Sequence, residues 1–124
     1  MKELLLKDLC SRMPYNTKIQ LTEYSVTGKK LPSEIKILDY YMLGKVQAYC
    51  KGFRKDEVKP YLFPLASMTP KQKAELAHLT ADIDGIFEQV LAEIEFYHRH
   101  HIDYQGLIPL GLAIDATGLD IYDR

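Results

Sequence analysis

The sequence predicts an α+β domain, a small antiparallel sheet followed by a helical lobe. Apolar residues of the first half recur with a period of two, and those of the second half with a helical period. The charge changes sign at the same place. Residues 1–60 carry twelve Lys and Arg against seven acids, a net +5, and residues 61–124 carry four against ten, a net −6; together they give the chain's −1. The expected division is 1–65 for an N-terminal helix-turn plus sheet and 66–124 for helices with a compact apolar tail. At 124 residues the two halves are expected to form one cooperative domain.

The elements follow in order. Leu5, Leu6, Leu9 and Met13 recur at helical spacing and predict a short helix that Pro14 stops. From Thr17 the period becomes two, with Ile19 and Leu21 opposed to Lys18, Gln20 and Thr22. Thr27-Gly28-Lys29-Lys30 predicts a turn. Ile35 and Ile37, alternating with Glu34 and Lys36, predict a second strand that continues through Tyr40 and Met42. Gly44-Lys45 predicts another reversal. Val46, Ala48 and Cys50 then alternate with Gln47 and Tyr49 as a third strand, ended by Gly52. Residues 56–62 hold one more strand, closed by Pro60 and Pro64. This rhythm resembles small SH3-like barrels.

Leu62, Phe63 and Leu65 are expected to join the helices to the sheet. Thr69-Pro70-Lys71-Gln72 is a helix start, with Thr69 and Gln72 forming a capping box and Pro70 in the first turn. Leu76, Leu79 and Ile83 form its stripe, and Asp82-Ile83-Asp84-Gly85 breaks it. A stronger stripe follows in Ile86, Phe87, Val90, Leu91, Ile94 and Tyr97, reaching about His101. Residues 102–114 are apolar with Gly106, Pro109 and Gly111, which predicts a buried tail with a short turn and an edge strand near Leu112 and Ile114. Residues 115–124 are expected to be a loose terminus.

Composition narrows the function. Hydrophobic residues are 47% and charged residues 27%, which excludes a disordered tail or a disulfide scaffold. No apolar run approaches the roughly 18–20 residues of a membrane helix, and the start has no signal-peptide pattern. The expectation is a cytoplasmic protein with no membrane partner. Cys10 and Cys50, with no CxxC pair, read as reduced, partly buried thiols. There is no nucleophile elbow and no phosphate-binding glycine loop, so no cofactor is expected.

Two constellations remain. His98, His101 and Asp103 are candidate metal ligands: two imidazoles three apart on a helix share a face, and a carboxylate follows. The plainer reading gives the histidines to helix capping and core, and Asp103 to capping the turn after it. The second is the tyrosine content of the basic half. Tyr24, Tyr40, Tyr41 and Tyr49 with Lys18 and Lys36 are candidate binding residues, for aromatics among cations can stack bases or contact a protein.

Three stretches carry a resemblance: Leu6-Lys7-Asp8-Leu9-Cys10-Ser11-Arg12-Met13-Pro14-Tyr15, Val58-Lys59-Pro60-Tyr61-Leu62-Phe63-Pro64-Leu65-Ala66-Ser67-Met68-Thr69, and His100-His101-Ile102-Asp103-Tyr104-Gln105-Gly106-Leu107-Ile108 with Gly111-Leu112-Ala113. Together they resemble a group of short uncharacterised proteins encoded by phages, prophages and mobile elements of gut anaerobes. The resemblance implies a mobile-element setting, hence a host bacterial cytoplasm, and supplies no activity. The expected function is a non-enzymatic, phage-associated accessory protein that binds an unknown protein. The alternatives are a nucleic-acid-binding module using the basic sheet and a metal-dependent hydrolase at His98, His101 and Asp103. A homodimer through the helical stripe is a further expectation, because two helices and a tail leave apolar faces to cover.

Overall fold

Leu5 and Leu9, one helical turn apart, are both fully buried, and they fix how the first helix lies on the sheet. A computed structural model describes residues 2–51 and 56–123. The order is α1 (Lys2–Arg12), a 3-10 turn (Met13–Tyr15), β1 (Lys18–Thr22), β2 (Glu34–Ile37), α2 (Tyr40–Cys50), β3 (Glu57–Pro64), a second 3-10 turn (Leu65–Ser67), α3 (Pro70–Ala81), α4 (Ile86–Arg99), β4 (Ile102–Asp103) and β5 (Ile114–Asp115). The class is α+β, as expected. The sheet is open and mixed, not an SH3-like barrel. β1 pairs antiparallel with β2 and β3, whereas β4 and β5 pair parallel with β3. A parallel partner needs a long crossover, and α3 with α4 supplies it between β3 and β4.

Residues 40–50 are the clearest departure from the sequence expectation. They form a helix, not a strand end, a reversal and a third strand. Alternation of Val46, Ala48 and Cys50 suggested a period of two, but Met42 and Val46, four apart, are the buried pair and Leu43, Tyr49 and Cys50 pack beside them. Asp39 caps this helix by accepting from the Met42 amide at 2.7 Å. The expected end at Gly52 lies outside the described residues.

The main core lies on one face of the sheet. Ile19, Leu21, Val58 and Leu62 meet Leu5 and Leu9 of α1, Met42 and Val46 of α2, and Leu107, Leu112 and Ala113 of the tail. Tyr61, Phe63 and Ala116 form a second cluster with Ile121 and Tyr122. Both faces of β3 are therefore covered from Tyr61 to Phe63. Pro60 sits where β3 changes partner, from β1 at 57–60 to the short parallel strands at 61–64. Leu65, expected to join helices to sheet, is exposed.

The expected loose terminus is held in part. Tyr122 Oη takes the Lys18 amide at 2.6 Å and donates to the Tyr61 carbonyl at 2.9 Å. Strands of the second half thus complete the sheet of the first, and the lobes interleave. The Thr69–Gln72 capping box forms as expected, with both bonds at 3.1 Å. The break at residues 82–85 separates α3 from α4.

Candidate functional site

The histidine group is built around the end of α4. This helix stops at Arg99, so His98 and His101 do not share a helix face. His101 lies beyond the cap in the left-handed region, with φ of 58°. That position usually belongs to glycine, because a Cβ is crowded there. Three contacts hold the imidazole's residue in place. The His101 carbonyl accepts from the Phe63 amide at 2.8 Å, Nδ1 lies 3.4 Å from Thr17 Oγ1, and the ring stacks on Tyr122 with centroids 3.9 Å apart. Burial, then the charges of Arg12, His100 and Lys18, lower its pKa to about 4. The His98 ring is buried with Nε2 2.9 Å from Tyr104 Oη; burial and Arg12 hold its pKa below the ordinary value. Asp103 is buried, and each carboxylate oxygen accepts an amide at 2.8 Å, from Leu107 and from Ile108. This is the turn cap the sequence allowed.

The three candidate ligands are each bound to a different partner, and no group of three or more His, Cys, Asp or Glu among the described residues is spaced to hold a metal ion. Their neighbourhood is a polar network. Arg12 and Asp8 form an ion pair at 2.7 Å with both side chains fully buried. Arg12 also donates to the Ile102 carbonyl at 2.6 Å, and Gln105 Nε2 to Asp8 at 3.1 Å and to Tyr104 Oη at 3.2 Å. The network ties α1 to β4 and the tail. It was not anticipated, because the pair lies within one short helix and its other partners are about 90 residues away.

The tyrosine and lysine set is dispersed. Tyr40, Tyr41 and Tyr49 stand on α2, not on strands. Tyr40 and Tyr41 are mostly exposed in its first turn, whereas Tyr49, at the other end, lies under Lys2 Nζ at 4.1 Å from the ring centre. Tyr24 Oη reaches Glu57 at 3.5 Å. Lys18 Nζ donates to the Ile121 carbonyl. Lys36 lies 3.3 Å from Glu34. Lys36 and Tyr41 come together in a groove of about 530 Å³ between β2 and α2, and Tyr40 and Tyr41 flank a second hollow on α2. Glu23, Glu34 and Asp39 line that groove beside Lys36 and Lys45, so it is no positive track for a phosphate backbone. The cysteines are both free, Cys10 exposed in place of partly buried, and Cys50 bonded to the Lys2 carbonyl at 3.1 Å with burial raising its pKa.

Two apolar surfaces emerge that the candidate set omitted. One is the outward face of α4. Its last turns bury Phe96 and His98, but at its start Ile86 is 82% and Phe87 71% exposed, with Val90 and Leu91 exposed behind them. The other is β2, all four of whose residues are exposed. The strength of the α4 stripe was legible in the sequence; its orientation was not.

No family model, curated protein or solved structure matches this chain. No helix among the described residues is long and apolar enough to cross a membrane.

Proposed function

We propose that the protein is a non-enzymatic binding module, acting in a phage or mobile-element setting, that docks on another protein through α4. One observation carries this reading: the strongest apolar stripe of the chain faces outward at the start of its helix. Ile86 with Val90 and Phe87 with Leu91 are pairs four apart, so the four side chains form one patch. Exposed apolar groups in such a contiguous patch mark interaction surfaces. A helix presenting anchors at this spacing fits a hydrophobic groove on its partner. The mobile-element setting rests on the sequence resemblance alone.

The test compares wild type with Phe87→Glu/Leu91→Glu. Both positions are exposed, so the variant keeps its far-ultraviolet circular dichroism. Each is immobilised and challenged with host bacterial lysate. The expected result is a partner retained by wild type and lost by the variant. Equal capture by both, no capture, a salt-sensitive shift of duplex DNA by wild type, or metal-dependent hydrolysis abolished by His101→Ala would each overturn the reading.

A further inference from the structure

β2 poses a problem of register. Directly opposed residues of an antiparallel pair point to the same face. Ile19 opposes Lys36 and Leu21 opposes Glu34, whereas Ile35 opposes Gln20 and Ile37 opposes Lys18. Ile19 and Leu21 point into the main core. Hence β2 turns its charges toward the core side and its isoleucines to the other face, where Ile35 and Ile37 are each 52% exposed. A slip of one residue would reverse this. The observed register leaves two β-branched side chains uncovered on the last strand of the sheet.

The free edge of that strand can be read residue by residue. The Leu38 amide donates to the Thr17 carbonyl at 2.8 Å, continuing the β1–β2 ladder. Backbone groups of successive residues alternate in direction, so those of Lys36 and Glu34 also face β1. Those of Ile35 and Ile37 face outward. β2 pairs with β1 alone among the described residues, so this outer edge is open.

We propose that a second copy of this chain covers it, the two β2 strands pairing antiparallel about a two-fold axis at Ile35. In that register Ile35 faces Ile35 of the second copy, using its outward N–H and C=O, and Ile37 faces Ser33. Glu34 then lies directly opposite Lys36, twice by symmetry. These are the close, non-hydrogen-bonded positions of the ladder, where opposite charges attract most and like charges repel. The neighbouring registers fail on charge. Centring on Lys36 sets Lys36 against Lys36, centring on Glu34 sets Glu34 against Glu34, and centring on Ser33 brings Pro32 opposite Glu34 and Lys30 opposite Lys36. Charges on an edge strand commonly guard against pairing. Among the registers centred on residues 33–36, the Glu-Ile-Lys order leaves only this one free of a charge conflict. Within a single chain Glu34 and Lys36 lie 3.3 Å apart and exposed, so they are available to exchange partners. The strand is four residues long, so the interface is below the standard size and the dimer is weak. The surface is separate from the α4 patch.

Sedimentation velocity on the full chain at low salt, from about 10 to about 500 μM, tests this with charge reversals at exposed positions. Wild type is expected to dimerise with rising concentration. Glu34→Lys and Lys36→Glu alone each place like charges opposite one another twice and weaken the dimer about tenfold or more. An equimolar mixture of the two variants restores opposite charges at both positions and forms the heterodimer. Ile35→Pro removes an outward amide and none of the β1–β2 ladder donors, so it is expected to abolish dimerisation while the circular dichroism is kept. Phe87→Glu/Leu91→Glu still dimerises. A wild type that stays monomeric, a mixture no better than its parts, or dimerisation lost through α4 and kept through β2 overturns the proposal.

Discussion

Removing Arg12 while leaving Asp8 in place is the sharpest test of how this fold is held. Both side chains of the pair are fully buried at 2.7 Å. In Arg12→Met the methylene volume is roughly kept, but the Asp8 carboxylate retains only Gln105 Nε2 at 3.1 Å, and the Ile102 carbonyl loses its donor at 2.6 Å. Breaking one side of a buried pair costs about 3–5 kcal/mol, because the partner charge stays desolvated. A domain of this size has about 5–15 kcal/mol in all, so the midpoint of thermal unfolding should fall by roughly 10–20 °C. The double variant Asp8→Leu/Arg12→Met removes the stranded charge along with the pair and should recover most of the loss, leaving about 1–2 kcal/mol for the carbonyl and Gln105. The chain has no tryptophan, so urea unfolding is followed by circular dichroism at pH 7. A single variant that costs under about 1 kcal/mol, or a double variant no more stable than the single, refutes the argument.

The histidines predict a pH dependence. Burial lowers the pKa of His98, His100 and His101, the last to about 4, so the unfolded chain binds more protons below the ordinary value near 6.5. Their contribution is complete above pH 6.5 and is lost as pH falls toward 4. Urea midpoints measured from pH 7 to pH 5 should decline, and His101→Asn, which tolerates the left-handed backbone, should flatten that decline; a variant with the wild-type slope contradicts it. Asp103→Ala leaves two buried-turn amides without their acceptor and should cost roughly 2–4 kcal/mol. Amide exchange at Leu107 and Ile108 should rise most, and unchanged protection there would remove the capping role.

Where the deciding interaction is local, the sequence was readable. The capping box of α3 is four consecutive residues, and the break before α4 is a glycine beside two aspartates. The α+β class and the helical second half followed from such signals. Asp103 was legible as a cap for the same reason, since its acceptors serve amides four and five residues on. α2 was misread because 46, 48 and 50 satisfy a strand pattern while 42 and 46 satisfy a helix pattern. The Asp39 cap breaks that tie, and it precedes the ambiguous segment.

The rest depends on pairings that a single chain pattern cannot specify. Alternation in Glu34–Ile37 says that two isoleucines share a face, but not which face. That choice is made by the pairing of Ile19 with Lys36, which in turn leaves the outer amides on the isoleucines. The same holds for His101. Its stack comes from Tyr122 and its hydroxyl contact from Thr17, at opposite ends of the chain. A cluster of histidines in sequence therefore became a set of separate structural contacts. A strand of alternating charges and isoleucines became the one whose apolar side is free, and the order of its charges sets which register a partner strand at Ile35 would take.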